Sequence, residues 1–265
     1  MPKTKTENSR RVIATTPQPS SVGSRLGLIL VSALFFAGLA LAVVTAFRNQ
    51  IGGYFKPNIA AEARAYLLEN KVTAISESLS DLLKNSAEKA ISSQEHPLLG
   101  KSAPNFTLPD DRGETIELQS QIGKGCVVLI FYYGYHCNHC VGQLFAVNDD
   151  LKKFRELGAN VFAISADEAS ETQKRFDEYG RFEFSVLSDL GNKVAGEYGA
   201  YFPAKGDEGE HLEHATFVID DEGIVRWTNH GDEPFTDNKT LLVEIAKAQG
   251  RIPHLSTPPT KTNPN

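Results

Sequence analysis

The stretch LIFYYGYHCNHCVGQL, Leu129 to Leu144, decides how the rest of the chain is read. The apolar run Val127–Tyr133 has the β-branched and aromatic content of a buried strand, and it breaks into two cysteines two residues apart. Beyond them, Val141–Leu157 has helical periodicity, with Leu144, Val147, Leu151, Phe154 and Leu157 on one face. A cysteine pair at such a junction is placed for chemistry. The start of a helix presents unpaired N–H groups and the positive end of its dipole, which favour thiolate over thiol. Thiolate is the form that attacks or ligates, and the two-residue spacing lets one sulfur reach the other within a turn. Cys137 and Cys140 therefore read as a redox pair, a metal clamp, or a nucleophile with a neighbouring thiol. Cys126, the third cysteine, leads into the strand and reads as a buried small hydrophobe.

Working outward, short strands are expected at Asn105–Leu108 and Glu114–Leu118 around the turn PDDRG. After the cysteine helix come a strand at Asn160–Ser165, a helix at Ser170–Tyr179, a strand at Phe184–Leu187 and a short helix at Lys193–Tyr198. Strands Thr216–Asp220 and Ile224–Thr228, joined by DDEG, precede a last helix at Asn238–Gln249. Strands alternating with helices, closed by a hairpin and a helix, predict an α/β three-layer sandwich of thioredoxin type over residues 96–250. Asp189 and Trp227 read as cap and packing residues, Arg181 and Glu183 as solvated loop charges, and His230 as a candidate neighbour of the site. The GKG at 123–125 is a turn, because no Gly-Lys-Ser/Thr follows it; no cofactor is expected.

Residues 1–25 are polar, basic and rich in Ser, Thr and Pro, the composition of a disordered tail. Leu26–Phe47 carries no charge over 22 residues, enough for a helix to cross a bilayer. Its length argues against a cleaved signal, whose apolar region is usually about 7–15 residues. Lys3, Lys5, Arg10, Arg11 and Arg25 precede the span, against Arg48, Lys56 and Arg64 after it, so a cytoplasmic N-terminus and an extracytoplasmic domain are expected. Residues 48–95 are expected to form a helical stalk. From Asn58, a candidate N-cap, to Ser93 there is no Gly or Pro, and Ala61, Ala65, Leu68, Val72, Ile75, Leu79 and Leu82 keep a 4-3 spacing. That seam fits either a parallel homodimeric stalk or one amphipathic helix lying on the membrane or on its own domain. Residues 251–265 are a Pro-rich flexible tail. With 27 basic against 33 acidic residues and a net charge of −6, the chain has no footprint for nucleic acid.

The segments LLGKSAPNFTLPDDRGETIEL, VVLIFYYGYHCNHCVGQL, FAISADEASETQKRFDEYGRFEFSVLSDLGNKVAGEYGAY and HATFVIDDEGIVRW together resemble the alkyl hydroperoxide reductase and thiol-specific antioxidant family, the peroxiredoxins and their relatives. The resemblance runs collinearly over about residues 96–250 and implies a thioredoxin-like, peroxiredoxin-type fold. That family carries a Pro-x-x-x-Thr-x-x-Cys pattern after this strand. Laid onto this chain, the Pro place is Tyr133, the Thr place is Cys137 and the attacking cysteine is Cys140. The place of the supporting Arg is His214. The change of Thr to Cys resembles a branch with FYRGGWCPYC-type motifs, in which the second thiol resolves the first. The resemblance thus implies an antioxidant oxidoreductase that reduces hydroperoxides through Cys140, with Cys137 resolving, His214 in support, and a thioredoxin-like or other thiol reductant as partner.

Two other readings fit the same residues. A membrane-anchored thioredoxin-like disulfide exchanger would use Cys137 as nucleophile. Such proteins carry a cis-proline where this chain has Ala215, and a non-proline cis bond costs about 3–4 kcal/mol, so a trans bond is expected there. A metal-binding protein would draw on His136, Cys137, His139, Cys140, His211 and His214, soft and borderline donors for copper or zinc. In that reading, which resembles copper-delivery proteins of the same fold, the cysteine pair and His214 are the core of the ligand set.

Overall fold

The computed structural model describes residues 58–206 and 208–252, together with Val43. In chain order the elements are helix α1 (Ile59–Glu69), helix α2 (Leu79–Ser86), strands β1 (Thr107–Pro109), β2 (Thr115–Glu117) and β3 (Val127–Phe131), and helix α3 (Asn138–Glu156). Strand β4 (Asn160–Ser165), helix α4 (Ala169–Tyr179), strand β5 (Ser185–Ser188) and helix α5 (Lys193–Glu197) follow. The order closes with β6 (Tyr201–Phe202), β7 (His211–Leu212), β8 (His214–Ile219), β9 (Val225–Gly231) and helix α6 (Asn238–Ala248).

The central sheet has the order β5-β4-β3-β8-β9. Strand β3 runs parallel to β4 and antiparallel to β8, with Phe131 opposite Ile164 and Ala215. All five residues of β3 are buried, because helices cover both faces of the sheet. Val128 and Ile130 pack with α1, α2, α3, α4 and α6; Val127, Leu129 and Phe131 pack with α5 and the β1–β2 hairpin. This is the three-layer thioredoxin-like sandwich that the alternation of elements predicted.

Both sheet edges are covered. Asp111 exchanges hydrogen bonds with Val186 on β5, its N–H donating to the Val186 carbonyl and its carboxylate accepting from the Val186 N–H. Along β9 the chain from Ile91 to Lys101 supplies the missing partner. Gln94 N–H donates to the Thr228 carbonyl, Thr228 N–H to Ser93 Oγ, and Trp227 Nε1–H to the Ile91 carbonyl. Gly100 and Lys101 complete the pairing at Val225. Unpaired strand edges are templates for association, so this covering has a structural purpose.

The segment expected to form a stalk differs from its 4-3 reading. Helix α1 stops at Glu69, Lys71 takes a left-handed backbone (φ 58°), and a second helix starts only after Ser78, whose hydroxyl accepts from Asp81 N–H. No Gly or Pro marks the break; tertiary bonds hold it instead. The carboxylate of buried Asp150 accepts from Ile75 N–H at 2.8 Å, and Lys153 Nζ donates to the Ile75 carbonyl at 2.8 Å. A single continuous helix is therefore overturned. Ile59, Ala63 and Leu67 face the domain while Leu68 is 74% exposed. Ile75 and Leu82 are committed to this chain's own core, so the seam is not free to pair with a second copy.

Side-chain partners add detail to the smaller readings. Arg181 and Glu183 are exposed loop charges, and each is also ion-paired, Arg181 with the buried carboxylate of Asp111 and Glu183 with Arg155 at 2.6 Å. Asp189 accepts from Val194 and Ala195 N–H at the start of α5, and Trp227 is buried. Cys126 is buried, and burial pushes its thiol up to about 11. The apolar run Leu26–Phe47 and the tail from residue 253 lie outside the described residues. Among the described residues no helix is long and apolar enough to cross a membrane.

Candidate redox site

The site lies beyond the carboxyl ends of β3 and β4, where parallel strands leave a crevice. Strand β3 ends at Phe131, and residues 132–137 form a loop before α3. Asp167, just past β4, shapes that loop. Its carboxylate accepts from Tyr135 N–H at 2.8 Å and from Ser165 Oγ at 3.0 Å, while its carbonyl accepts from Ser188 Oγ at 2.6 Å. Burial nevertheless raises the Asp167 carboxyl above the usual carboxylate range. Gly134 allows this close approach: its φ is 123°, and a Cβ there would lie 2.8–2.9 Å from the two Asp167 oxygens.

Helix α3 begins three residues earlier than expected because Cys137 itself caps it. Cys137 Sγ accepts from Cys140 N–H at 3.3 Å. The two sulfurs are joined in a disulfide, with the Cα atoms 5.3 Å apart. Cys137 is half-buried, whereas Cys140 is 0% exposed. Helix α1 crosses α3 just behind the pair, where Gly142 lets the Ala63 carbonyl approach; a Cβ on Gly142 would sit 3.3 Å from it. That crossing brings Tyr66 edge-on to His139, with ring centroids 5.9 Å apart.

His214 opens β8. The β3–β8 register places it level with the start of the cysteine loop. It is 2% exposed, stacked on Tyr133 at 4.3 Å, and its Nε2 lies 3.8 Å from Cys140 Sγ. Its Nδ1 has no hydrogen-bond partner among the described residues. Burial first, and then the nearby His139 ring, pull its pKa down to about 4, so at neutral pH the imidazole is uncharged.

Of the six donors considered from sequence, the structure unites four: Cys137, His139, Cys140 and His214. His136 is exposed beside Tyr135, and His211 stacks on Phe202 near Glu213, so both are outside the cluster. His230 pairs with Glu213 at 3.1 Å and lies against His96 rather than against the disulfide. No cis peptide occurs among the described residues, so Ala215 is trans. Sequence reasoning missed Asp167, Tyr66 and the stacking of Tyr133. The Gly in YYGYHC was the available signal for Asp167, since it marks close approach of another group.

Residues 99–228 match the AhpC/TSA family. Chloroplastic peroxiredoxin Q of Triticum aestivum is 38% identical over 128 residues, which are 48% of this chain and 57% of that one. The thiol-disulfide oxidoreductase ResA of Bacillus anthracis is 37% identical over 102 residues, 38% of this chain and 57% of that one. The match thus spans little more than half the length of these curated relatives. The reduced 2-Cys peroxiredoxin of Plasmodium vivax superposes with a TM-score of 0.51 at 22% identity, covering 58% of this chain and 98% of that one. The mitochondrial 2-Cys peroxiredoxin of Plasmodium falciparum gives 0.50 at 23% identity, covering 58% and 99%. These two likenesses concern the fold. Together with the cysteine pair at the strand-to-helix turn, the sequence matches identify residues 99–228 of this chain as an AhpC/TSA family domain.

Proposed function

We propose that this domain is a thiol-dependent oxidoreductase that reduces hydroperoxides by cycling Cys137 and Cys140 between dithiol and disulfide. The observation that carries the reading is one buried sulfur, Cys140, 3.8 Å from an uncharged histidine and already within bonding reach of a second, more exposed sulfur. In the forward step Cys140 thiolate attacks the terminal peroxide oxygen and takes it with its hydrogen as sulfenic acid; the O–O bond breaks, and the alkoxide that leaves takes a proton from water to become the alcohol. Cys137 thiol then displaces water to close the disulfide. Cys140 is sealed behind Cys137 in the disulfide, so peroxide meets the reduced pair, and the half-buried Cys137 sulfur, the more accessible of the two, is where a thioredoxin-like or other thiol reductant enters. The uncharged run Leu26–Phe47 supports a single-pass anchor that holds the domain outside the cytoplasm.

A second reading is favoured by exposure. Cys137 is the helix cap, receives the Cys140 N–H and is the less buried of the two, which suits it as first nucleophile toward a protein disulfide. Single-turnover peroxide consumption by the reduced protein separates the two. Cys140→Ser is expected to abolish it, while Cys137→Ser is expected to accumulate sulfenic acid detectable by mass. The reverse pattern would assign attack to Cys137, and no stoichiometric peroxide loss in the wild type would remove hydroperoxide as substrate.

A further inference from the structure

The donors at the start of α3 have a capacity that thiol cycling does not use. Cys137, His139, Cys140 and His214 bring one ligand atom each within 4.8 Å of one another. In a tetrahedral zinc site, metal–ligand bonds of about 2.0–2.3 Å place the donor atoms roughly 3.3–3.8 Å apart. Small side-chain rotations reach that spacing once the sulfurs are separate. Three donors come from one helical turn and its cap, and the fourth from the neighbouring strand, so backbone elements fix all four.

A second observation points to a ligand independently. His214 is 2% exposed, yet its Nδ1 is unpartnered among the described residues and its Nε2 meets only sulfur, at 3.8 Å. A buried imidazole whose Nε2 meets only a sulfur at 3.8 Å lacks a strong partner at that atom. A cation at Nε2 would supply one, while Nδ1 takes no part in the site. Cys137 and His139 are half-buried, so two of the four donors reach solvent.

We propose that the reduced Cys137–Cys140 pair, with His139 and His214, binds one Zn²⁺ ion, and that closing the disulfide expels it. On binding, two thiols release their protons as two Zn–S bonds form, and two imidazoles lend lone pairs; the Cys₂His₂ set is a neutral, closed zinc site. On oxidation the two thiolates give two electrons to a hydroperoxide, which takes up two protons to become alcohol and water. The S–S bond forms, both Zn–S bonds break, and Zn²⁺ leaves with its oxidation state unchanged. Zinc would thus shield the reduced pair, and its release would report oxidation. The proposal rests on the reversible dithiol of the preceding section but not on its rate with peroxide.

The test is an oxygen-free titration of the full chain with Zn²⁺ against a chromophoric chelator, in reduced and oxidised forms, after counting free thiols. The reduced form is expected to hold one equivalent and the oxidised form none. Cys140→Ser should abolish binding; His214→Gln and His139→Gln should each weaken it about tenfold or more. Co²⁺ in place of Zn²⁺ should give the intense visible bands of a tetrahedral, sulfur-ligated ion, diminished in each variant. His139 is half-buried, so its variant remains informative even where the His214 variant misfolds. Equal affinity in both redox forms, or wild-type affinity in a folded His139 variant, would overturn the site as drawn. Peroxide consumption on the same metal-free sample is a separate readout. Zinc binding without peroxide turnover sinks only the peroxidase reading, and turnover without zinc binding sinks only this one.

Discussion

Replacing Asp150 with asparagine should cost far more than the same change one residue earlier. Asp150 is buried, and its two oxygens accept from Ile75 N–H at 2.8 Å and from Asn238 Nδ2 at 2.9 Å. Asparagine keeps one acceptor and puts a donor in place of the other. Either Ile75 N–H loses its partner, or Asn238 must flip and abandon the Ala146 carbonyl to which it now donates. A hydrogen bond to a charged group contributes about 1.5–3 kcal/mol, and an orphaned buried donor costs about 1–3 kcal/mol. Since the two terms overlap, the expected loss is about 3 kcal/mol. Asp149, by contrast, meets Arg64 at 2.6 Å in an ion pair with both partners substantially exposed, and Asp149→Asn should cost under about 1 kcal/mol. Urea denaturation of the oxidised chain measures both. Hydrogen exchange at the Ile75 amide should rise about a hundredfold in the Asp150 variant, the same energy expressed as local opening. Asp150→Asn no more destabilising than Asp149→Asn would refute the claim that this carboxylate pins residues 70–78 to the domain.

Two further outcomes follow from the site. Gly134→Ala drives a methyl into the Asp167 carboxylate from a backbone conformation that alanine rarely adopts; peroxide turnover should fall at least about tenfold while far-ultraviolet circular dichroism is retained. His214, held uncharged with its pKa at about 4, makes stability pH-dependent. Between pH 4 and 6.5 the unfolded chain binds its proton and the folded chain does not, so stability drops as pH falls through that window. The His214 share is up to about 3 kcal/mol. Buried Asp167, with its raised carboxyl, acts in the opposite direction. Comparing wild type with His214→Gln, both oxidised, isolates the histidine; an unchanged pH slope would contradict its burial as a neutral ring.

The sandwich was readable because its strands are nearly uniform in chemistry. Asn160–Ser165 has the observed bounds, and β3 is a run that only a doubly covered strand would tolerate. The start of α3 was not readable, since cysteine is not among the usual capping residues and its role depends on where Sγ sits relative to Cys140 N–H. The break after α1 was hidden for a different reason. Nothing local in Asn70–Lys71 forbids a helix; Asp150 and Lys153, far along the chain, select the turn. Two-residue strands β6 and β7 are too short for any periodicity. At the site, the cysteines were legible from their spacing and His214 from the family resemblance. Asp167 was not, because it meets Tyr135 from 32 positions further along the chain.

The strip of backbone from Ile91 to Lys101 that completes β9 bears on how the molecule can be dissected. The family match begins at residue 99, but a polypeptide trimmed there would present an open ladder along Trp227 and Thr228, and would uncover the flank of α3 that α1 now shelters. Such a fragment keeps both cysteines, His139, Asp167 and His214 but loses Tyr66, and it has a surface primed to polymerise. The smallest piece fit for solution work starts near residue 58, some forty positions ahead of the recognisable homology.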